Sequence, residues 1–261
     1  MGIDLVFESS RFPKDKTYRA AMVIDVLRAT SVMATLLGAG APAVLLARNI
    51  EEAKVLKKRL GAGWFTSGAR YGKRIDGFDY GNAMLEFIEK RLDEENFILS
   101  TTNGTGAIYK TWPLAERVFV ASLLNASAAA QSVVDLFEEE EDIDVLLVLS
   151  GVRGQYSIDD AITAGVLLDK MLALGLHVPL SDEARTCLLA ARGAEDLGEE
   201  LRQSRTGKAL AKVGLIDEVE YTLRLDEFDF AIEVREETEL DLDPVLSLHP
   251  RRIKAPTKHV F

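Results

Sequence analysis

The chain has 261 residues, of which 48% are hydrophobic, so it can bury a sizeable core in one large α/β domain or in two small ones sharing a sheet. Its 31 basic and 42 acidic residues give a net charge of −11, which disfavours nucleic acid and anionic membranes as partners. No apolar run is long enough to span a bilayer, and the N-terminus lacks the basic-then-apolar order of a signal peptide. We therefore expect a cytoplasmic protein with no membrane partner.

The single cysteine and the scattered histidines exclude several catalytic classes. Cys187 cannot form an internal disulfide, and its helical surroundings are typical of a small buried apolar residue. The three histidines have no metal-ligand spacing, so the sequence predicts neither a histidine zinc site nor a catalytic triad.

Short apolar runs recur along the chain, each followed by glycine and small polar residues and then by an amphipathic helical stretch. This alternation predicts an α/β fold with a largely parallel sheet. Strands are predicted at residues 20–26, 43–47, 96–101, 117–122 and 144–150. Helices are predicted after Thr30 and at residues 51–60, 83–92, 126–137, 160–175, 183–192 and about 195–213.

The main domain is predicted to span residues 1–235, followed by a C-terminal tail at residues 236–261. The segments around Val23 and Leu147 share the order strand, arginine-containing loop, helix. A duplication with halves near 1–115 and 116–235 would explain this order, and so would any two βα units. Since ligands bind beyond the carboxyl ends of parallel strands, we expect the loops there to leave one edge of the sheet and form a single pocket.

The first such loop follows the strand ending in VID. Asp25 is a carboxylate at a strand end that can ligate magnesium, and Arg28 can bind phosphate or sulfonate oxygens bidentately. Thr30 contacts a ligand or caps the next helix.

The second loop, in ILSTTNGTGA, places hydroxyl groups, an asparagine and glycines between a strand and a helix. Such a loop can present backbone N–H groups and hydroxyls to an anion, and a plain capped turn is the alternative. Its candidate ligands are Thr102, Asn103, Gly104 and Thr105.

Two later junctions add further candidates. Asn125 precedes a helix in ASLLNASAAA, where it either caps that helix or binds a ligand. The junction VLSGVRGQYSIDDAITAG contains Gly151 and the adjacent pair Asp159 and Asp160. Adjacent carboxylates on a helix point in different directions, so we expect at most one of the pair to reach a metal.

The segment RYGKRIDGFDYGNA is basic and rich in glycine. Arg70 and Arg74 are candidate anion ligands in it, although a solvated hairpin would have a similar sequence.

The segments IDVLRATS, GFDYGN, TTNGT, ASLLNA, SGVRGQYSIDDAITAG and SDEA occur in an order that resembles the 2-phosphosulfolactate phosphatase family over roughly residues 1–235. The resemblance implies a three-layer α/β/α fold and magnesium-dependent hydrolysis of phosphosulfolactate to sulfolactate and phosphate, a step of coenzyme M biosynthesis. Asp25, Arg28, Thr102, Asn103, Gly104, Thr105, Asn125, Gly151 and Asp160 stand at positions of the family's motifs. Ala69, Ala83 and the Asp159 carboxylate depart from the family's usual residues, which bears on the substrate more than on the phosphate chemistry.

The resulting mechanistic hypothesis assigns Asp25, Arg28 and Asp160 to catalysis, with Mg²⁺ held by Asp25 and Asp160 or Asp159. Whether water attacks directly or an aspartate forms a phosphoenzyme is open.

A haloacid-dehalogenase-type enzyme is disfavoured because Leu27 stands where that class has a second aspartate. A non-catalytic protein that binds a small anion is the alternative. An acidic enzyme of this size is often a symmetric dimer.

Overall fold

The computed structural model describes residues 1–8, 12, 16–70, 72–140, 142–240 and 244–253. It shows a mixed α/β fold, as predicted, in which helices cover both faces of a large sheet. Of the predicted tail, residues 241–243 and 254–261 lie outside the described residues. No helix in the described part of the chain is both long and apolar enough to cross a membrane.

The strands confirm all five predicted runs and add others. They are β1 (Gly2–Val6), β2 (Tyr18–Ile24), β3 (Val44–Leu46), β4 (Trp64–Ser67), β5 (Ala69–Arg70), β6 (Lys73–Arg74), β7 (Asn96–Leu99), β8 (Ala115–Ala121), β9 (Asp144–Leu149), β10 (Phe230–Glu237) and β11 (Val245–Arg252).

The α-helices are α1 (Ala29–Gly38), α2 (Ile50–Leu60), α3 (Gly104–Thr111), α4 (Ala126–Glu139), α5 (Ile158–Ala173), α6 (Asp182–Gly193), α7 (Leu197–Gln203), α8 (Arg205–Lys212) and α9 (Ile216–Thr222). The helical region predicted at about 195–213 is two helices, because the Ser204 hydroxyl accepts a hydrogen bond from the Gly207 amide at 2.9 Å and begins α8 there.

The strand β2 shows how the sequence builds three layers. Ala21 and Val23 lie in the core formed with α1 and α3, whereas Ala20, Met22 and Ile24 lie in the core formed with α4, α5 and α6. Successive side chains of a strand point to opposite faces, so a continuous apolar run is buried on both sides. The predicted three-layer α/β/α arrangement is confirmed.

The main sheet has the order β1-β9-β2-β8-β10-β11-β3-β7-β4. Strands β1, β9, β2 and β8 are mutually parallel, as are β3, β7 and β4. The antiparallel hairpin β10–β11 lies between the two groups and pairs antiparallel with β8 on one side and with β3 on the other. The two parallel groups therefore run in opposite senses.

This arrangement corrects the expectation that every ligand-binding loop leaves the same edge of the sheet. The loop after β7 nevertheless reaches the loop after β2, since the Gly104 amide donates to the Asp25 carboxylate. Five strand-to-strand steps separate β2 from β7. Sheet twist of about 20–25° per step accumulates to roughly 100°, so opposite-running strands can end near one another.

The prediction of a helix at residues 83–92 is wrong. Only a short 3₁₀ turn at Met84–Glu86 is present. The amides of Met84 and Leu85 donate instead to the carboxylate of Glu218, at 2.8 and 3.1 Å. A tertiary acceptor 134 residues away thus fixes the backbone where local periodicity favours a helix.

Candidate functional site

A cavity of about 600 Å³ opens where the loops after β2, β7 and β9 meet helix α8 and the β5–β6 hairpin. From the sequence-predicted set, it is lined by Asp25, Arg28, Thr102 and Asn103. These residues come from two distant loops, and the fold brings them to one place.

Asp25 is buried at the floor of this site. Its carboxylate accepts hydrogen bonds from the backbone amides of Ala29 and Gly104, which begin α1 and α3, and from the hydroxyl of Ser150. Burial raises the pKa of the Asp25 carboxyl to about 6 against the effect of these hydrogen bonds, and the charge of Asp159 adds to the rise. The site thus holds a carboxylate whose charge favours a nearby cation.

Asp160 connects two of the loops. One carboxylate oxygen accepts the Val26 amide at 2.9 Å, and the other accepts the Gly151 amide at 3.2 Å. Burial raises the pKa of Asp160 well above its ordinary value, and the charges of Asp159 and Asp25 raise it further. Both oxygens are therefore engaged in holding the loops after β2 and β9 together.

Asp159 points elsewhere, as adjacent positions on a helix require. Its carboxylate accepts a short hydrogen bond from the Ser157 hydroxyl, and it also contacts Ser204 and Thr206 at the start of α8. Burial raises its pKa. Neither Asp159 nor Asp160 is among the residues that line the cavity, so their roles as metal ligands stay predictions.

Arg28 contributes a buried positive charge. Its side chain is 6% exposed, and its Nη1 lies 3.6 Å from the Glu218 carboxylate, which is too far for a hydrogen bond. Burial lowers the pKa of the guanidinium and Glu218 opposes the change, so Arg28 remains a cation. Nη1 has no hydrogen-bond partner within the described structure. Nη1 is itself buried on the Glu218 side, and the residue Arg28 as a whole lines the cavity and brings a positive charge to it.

The TTNGT loop is shaped by close packing. A Cβ on Gly104 would lie 2.5 Å from the Ala29 Cβ and 3.0 Å from an Asp25 oxygen, so only glycine fits. The hydroxyls of Thr101 and Thr105 form reciprocal hydrogen bonds with each other's backbone and start α3. Thr105 and Gly104 support the loop from behind the cavity lining.

Several predicted ligands have structural partners outside the cavity. The Thr30 hydroxyl accepts the Asp25 amide at 3.2 Å, and the Asn125 side chain accepts the Ser122 amide at 2.9 Å and donates to the Phe230 carbonyl. Asn125 thus caps the chain before α4 and attaches it to β10. The binding roles predicted for these two residues stay predictions, and the cavity geometry does not add support to them.

The basic segment forms the hairpin that the sequence left as an alternative. Arg70 and Arg74 lie on the paired strands β5 and β6, both are exposed, and Arg74 donates to the Asp79 carbonyl at 3.1 Å. Neighbouring Ala69 and Gly72 line the cavity, whereas the two arginines do not. Gly151, likewise outside the lining, adopts φ +65° and positions the next turn.

Other lining residues were not among the predicted ligands. Arg153 and Gln155 come from the loop after β9, Arg205 from α8, and Asn82 from the segment before the 3₁₀ turn. The first two lie in the glycine-containing segment GVRGQ, and Asn82 lies in the segment GN, so both segments could have indicated these residues in the sequence. Arg205 had no such signal, because α8 reaches the site only through tertiary packing.

The side chains present fit a single Mg²⁺ in the cavity. In the part of the chain that is described, no three His, Cys, Asp or Glu side chains are arranged to hold a metal ion by themselves. Mg²⁺ usually needs only one or two carboxylates, because water and substrate phosphate complete its octahedral shell. Asp25 supplies one carboxylate in the cavity; burial is the main cause of its raised pKa, the charge of Asp159 adds to it, and a bound cation would favour the ionised form.

The sequence model of the 2-phosphosulpholactate phosphatase family matches residues 6–237. The chain belongs to this family. Membership makes it an enzyme of the phosphoric monoester hydrolase class.

Three relatives illustrate the extent of the similarity. A probable 2-phosphosulfolactate phosphatase of Deinococcus radiodurans is 38% identical, over 78% of this chain and 83% of its own. A protein of the same name from Carboxydothermus hydrogenoformans is 36% identical, over 88% of this chain and 91% of its own. A third, from Clostridium acetobutylicum, is 33% identical, over 87% of this chain and 94% of its own. The match to the family spans both the parallel strand groups and the cavity loops.

Proposed function

We propose that this enzyme hydrolyses 2-phosphosulfolactate, or a similar phosphorylated small hydroxyacid, to the free hydroxyacid and phosphate with the aid of Mg²⁺. Family membership and the names of the relatives support the substrate class. The cavity supports it independently, since three arginines line it in a protein of net charge −11.

The observation that carries the proposal is the buried guanidinium of Arg28, which lines the cavity together with Asp25. A buried charge costs free energy unless it is paired. A phosphoryl oxygen beside Asp25 would accept a hydrogen bond from this guanidinium and offset its charge. Arg28 is therefore suited to bind the group that is transferred.

Hydrolysis of the ester breaks one P–O bond, adds water to phosphorus and leaves an alcohol. Negative charge spreads over the phosphoryl oxygens in the transition state, so positioning and electrostatic stabilisation dominate the rate. When bound, Mg²⁺ supplies a positive charge that polarises the phosphoryl group. Arg28 donates to a phosphoryl oxygen and stabilises the developing charge.

Asp25 has two candidate roles that the geometry supports equally. It holds the cation, or it attacks phosphorus and forms a phosphoaspartate that water then hydrolyses. Its fixed position between the amides of Ala29 and Gly104 orients the carboxylate for either role. Trapping acid-stable phosphate on the protein during turnover distinguishes the two.

Phosphate release from a panel of phosphorylated hydroxyacids, measured with Mg²⁺ and with a chelator, tests the proposal. We expect Asp25→Asn to abolish turnover and Arg28→Gln to lower kcat/KM roughly 10²- to 10³-fold, because a charge-stabilising donor is lost. Arg28→Lys, which retains the charge, should fall between Arg28→Gln and the wild type. The control is Arg91→Gln, whose side chain is 90% exposed.

Activity of Arg28→Gln within twofold of the wild type would remove Arg28 from catalysis. Full activity in the presence of the chelator would show that hydrolysis does not require Mg²⁺. Tight sulfolactate binding without phosphate release from any ester would replace the hydrolase with the non-catalytic binding protein.

A further inference from the structure

We propose that Arg153 and Arg205 form a second anion subsite at the mouth of the cavity, which binds the sulfonate group of the substrate. The inference rests on the proposed function, and it assigns a specificity role to two side chains outside the Asp25 and Arg28 end of the cavity. Both arginines line the cavity, and both lie at its exposed rim.

The loop after β9 presents Arg153 on a tight turn. Val152 and Gln155 exchange backbone hydrogen bonds at 2.9 and 3.1 Å. The two residues between them have positive φ, 52° at Arg153 and 72° at Gly154, as in the two-residue turns that join antiparallel strands. The hydrogen bonds on both sides of the turn restrict where the Arg153 side chain can reach.

Arg205 approaches the same turn from α8. Its Nη1 donates a short hydrogen bond to the side-chain oxygen of Gln155. Gln155 is neutral, so it orients the guanidinium without cancelling its charge. The remaining N–H groups of a guanidinium present a planar fork that suits an oxyanion.

The charge of the cavity lining fits a ligand with more than one anionic group. Among the described residues that line the cavity, three are arginines, Arg28, Arg153 and Arg205, and one is a carboxylate, Asp25. Arg28 is associated with Glu218 and Asp25, whereas Arg205 is associated with Gln155. The positive charge is thus divided between two parts of the cavity.

The chemistry of 2-phosphosulfolactate decides which group binds where. Its carboxylate is attached directly to the carbon that bears the phosphate, so it must stay close to the phosphate. The sulfonate is one methylene further away and can reach a separate subsite. With three oxygens it can accept hydrogen bonds from two guanidinium groups at once.

The test compares two esters, 2-phosphosulfolactate and 2-phospholactate, which differ only in the sulfonate. We expect Arg205→Gln and Arg153→Gln each to lower kcat/KM for the sulfonated ester roughly tenfold or more, as loss of one charged hydrogen bond predicts. The value for 2-phospholactate should change less than twofold. Lys208→Gln, which removes an exposed charge from the same helix but does not line the cavity, is the matched control.

Equal losses for both esters, or none for either, would overturn the subsite. A calorimetric titration with sulfolactate and with lactate keeps the inference testable if the wild type hydrolyses neither ester, an outcome that would count against the proposed function alone. The subsite requires wild-type protein to bind sulfolactate more tightly than lactate and Arg205→Gln to lose that preference. Wild-type binding without a preference for sulfolactate would contradict it.

Discussion

Glu218 connects three parts of the site through one buried carboxylate. The side chain is 1% exposed, it lies 3.6 Å from Arg28, and it accepts the amides of Met84 and Leu85. Those amides belong to the turn that follows Asn82, another residue of the cavity lining. The position of Arg28 therefore depends on a residue of α9 that touches no ligand.

We expect Glu218→Gln to lower the free energy of unfolding by about 3 kcal/mol, because it removes the ion-pair partner of the buried Arg28 charge. The amide also has one acceptor oxygen where the carboxylate has two. Urea unfolding of the variant and the wild type measures the change. Glu220→Gln, on the same helix as Glu218, is the control. The ion pair of Glu220 with Arg202 of α7 is solvent-exposed and should contribute much less. Equal losses in both variants would contradict the role of Glu218.

Asp25 and Asp160 show how far the role of a single carboxylate can be predicted from its neighbours in the sequence. Both were predicted as functional carboxylates from their places at a strand end and a helix start. Asp25 lies in the cavity, whereas both oxygens of Asp160 bind backbone amides. Their local contexts are similar, and the difference arises from partners as far as 134 residues away in the chain.

The contact between the loop after β2 and the start of α3 operates at the scale of elements. Gly104 allows α1 and α3 to approach so closely that both helix N-termini donate to one carboxylate. Anions are favoured at helix N-termini because unpaired amides and the helix dipole point toward them. Here the two helices hold the carboxylate that the proposed function requires.

We expect Gly104→Ala to lower the free energy of unfolding by about 1–3 kcal/mol, because the new methyl group would overlap with Ala29 and Asp25. Activity should fall as well, since Asp25 must move. Gly106→Ala in the same helix is the matched control, because nothing lies within 4 Å of its added Cβ. That variant should be as stable as the wild type or about 0.5–1 kcal/mol more so. Thermal unfolding and phosphate release together check both variants.

Periodicity identified most helices correctly and failed where backbone groups bind distant side chains. The stretch at 83–92 has the composition of a helix, yet its amides bind Glu218. Helix α9, which carries this acceptor, was not predicted. The stretch wrongly predicted as a helix and the helix that was missed are thus in direct contact through Glu218.

The hairpin β10–β11 joins the two parallel groups of strands into one sheet. Strand β11 comes from the segment predicted as a tail, and it pairs with β10 and β3 near the middle of the sheet. The strands from residue 115 onward, β9, β8, β10 and β11, lie among strands from before residue 115 in the strand order. The integrity of the whole core therefore depends on residues near the C-terminus.

We expect Leu246→Ala in β11 to lower the free energy of unfolding by about 2–5 kcal/mol, because the side chain is fully buried and its loss leaves a cavity. Leu189→Ala is the control, since that leucine is 60% exposed and should change stability by less than about 0.5 kcal/mol. Urea unfolding monitored by tryptophan fluorescence measures both. A loss of less than about 1 kcal/mol in Leu246→Ala would show that β11 is not integral to the core.

The sequence by itself determined the fold class, the buried strands and the loops where function is concentrated. These features depend on side-chain periodicity and on residues that follow one another in the chain, so they can be read locally. Only the tertiary structure decided that the parallel groups run in opposite senses, that Asp160 holds loops together, and that Arg205 joins the cavity. Strand order and side-chain partners depend on packing between distant segments, which no local pattern encodes.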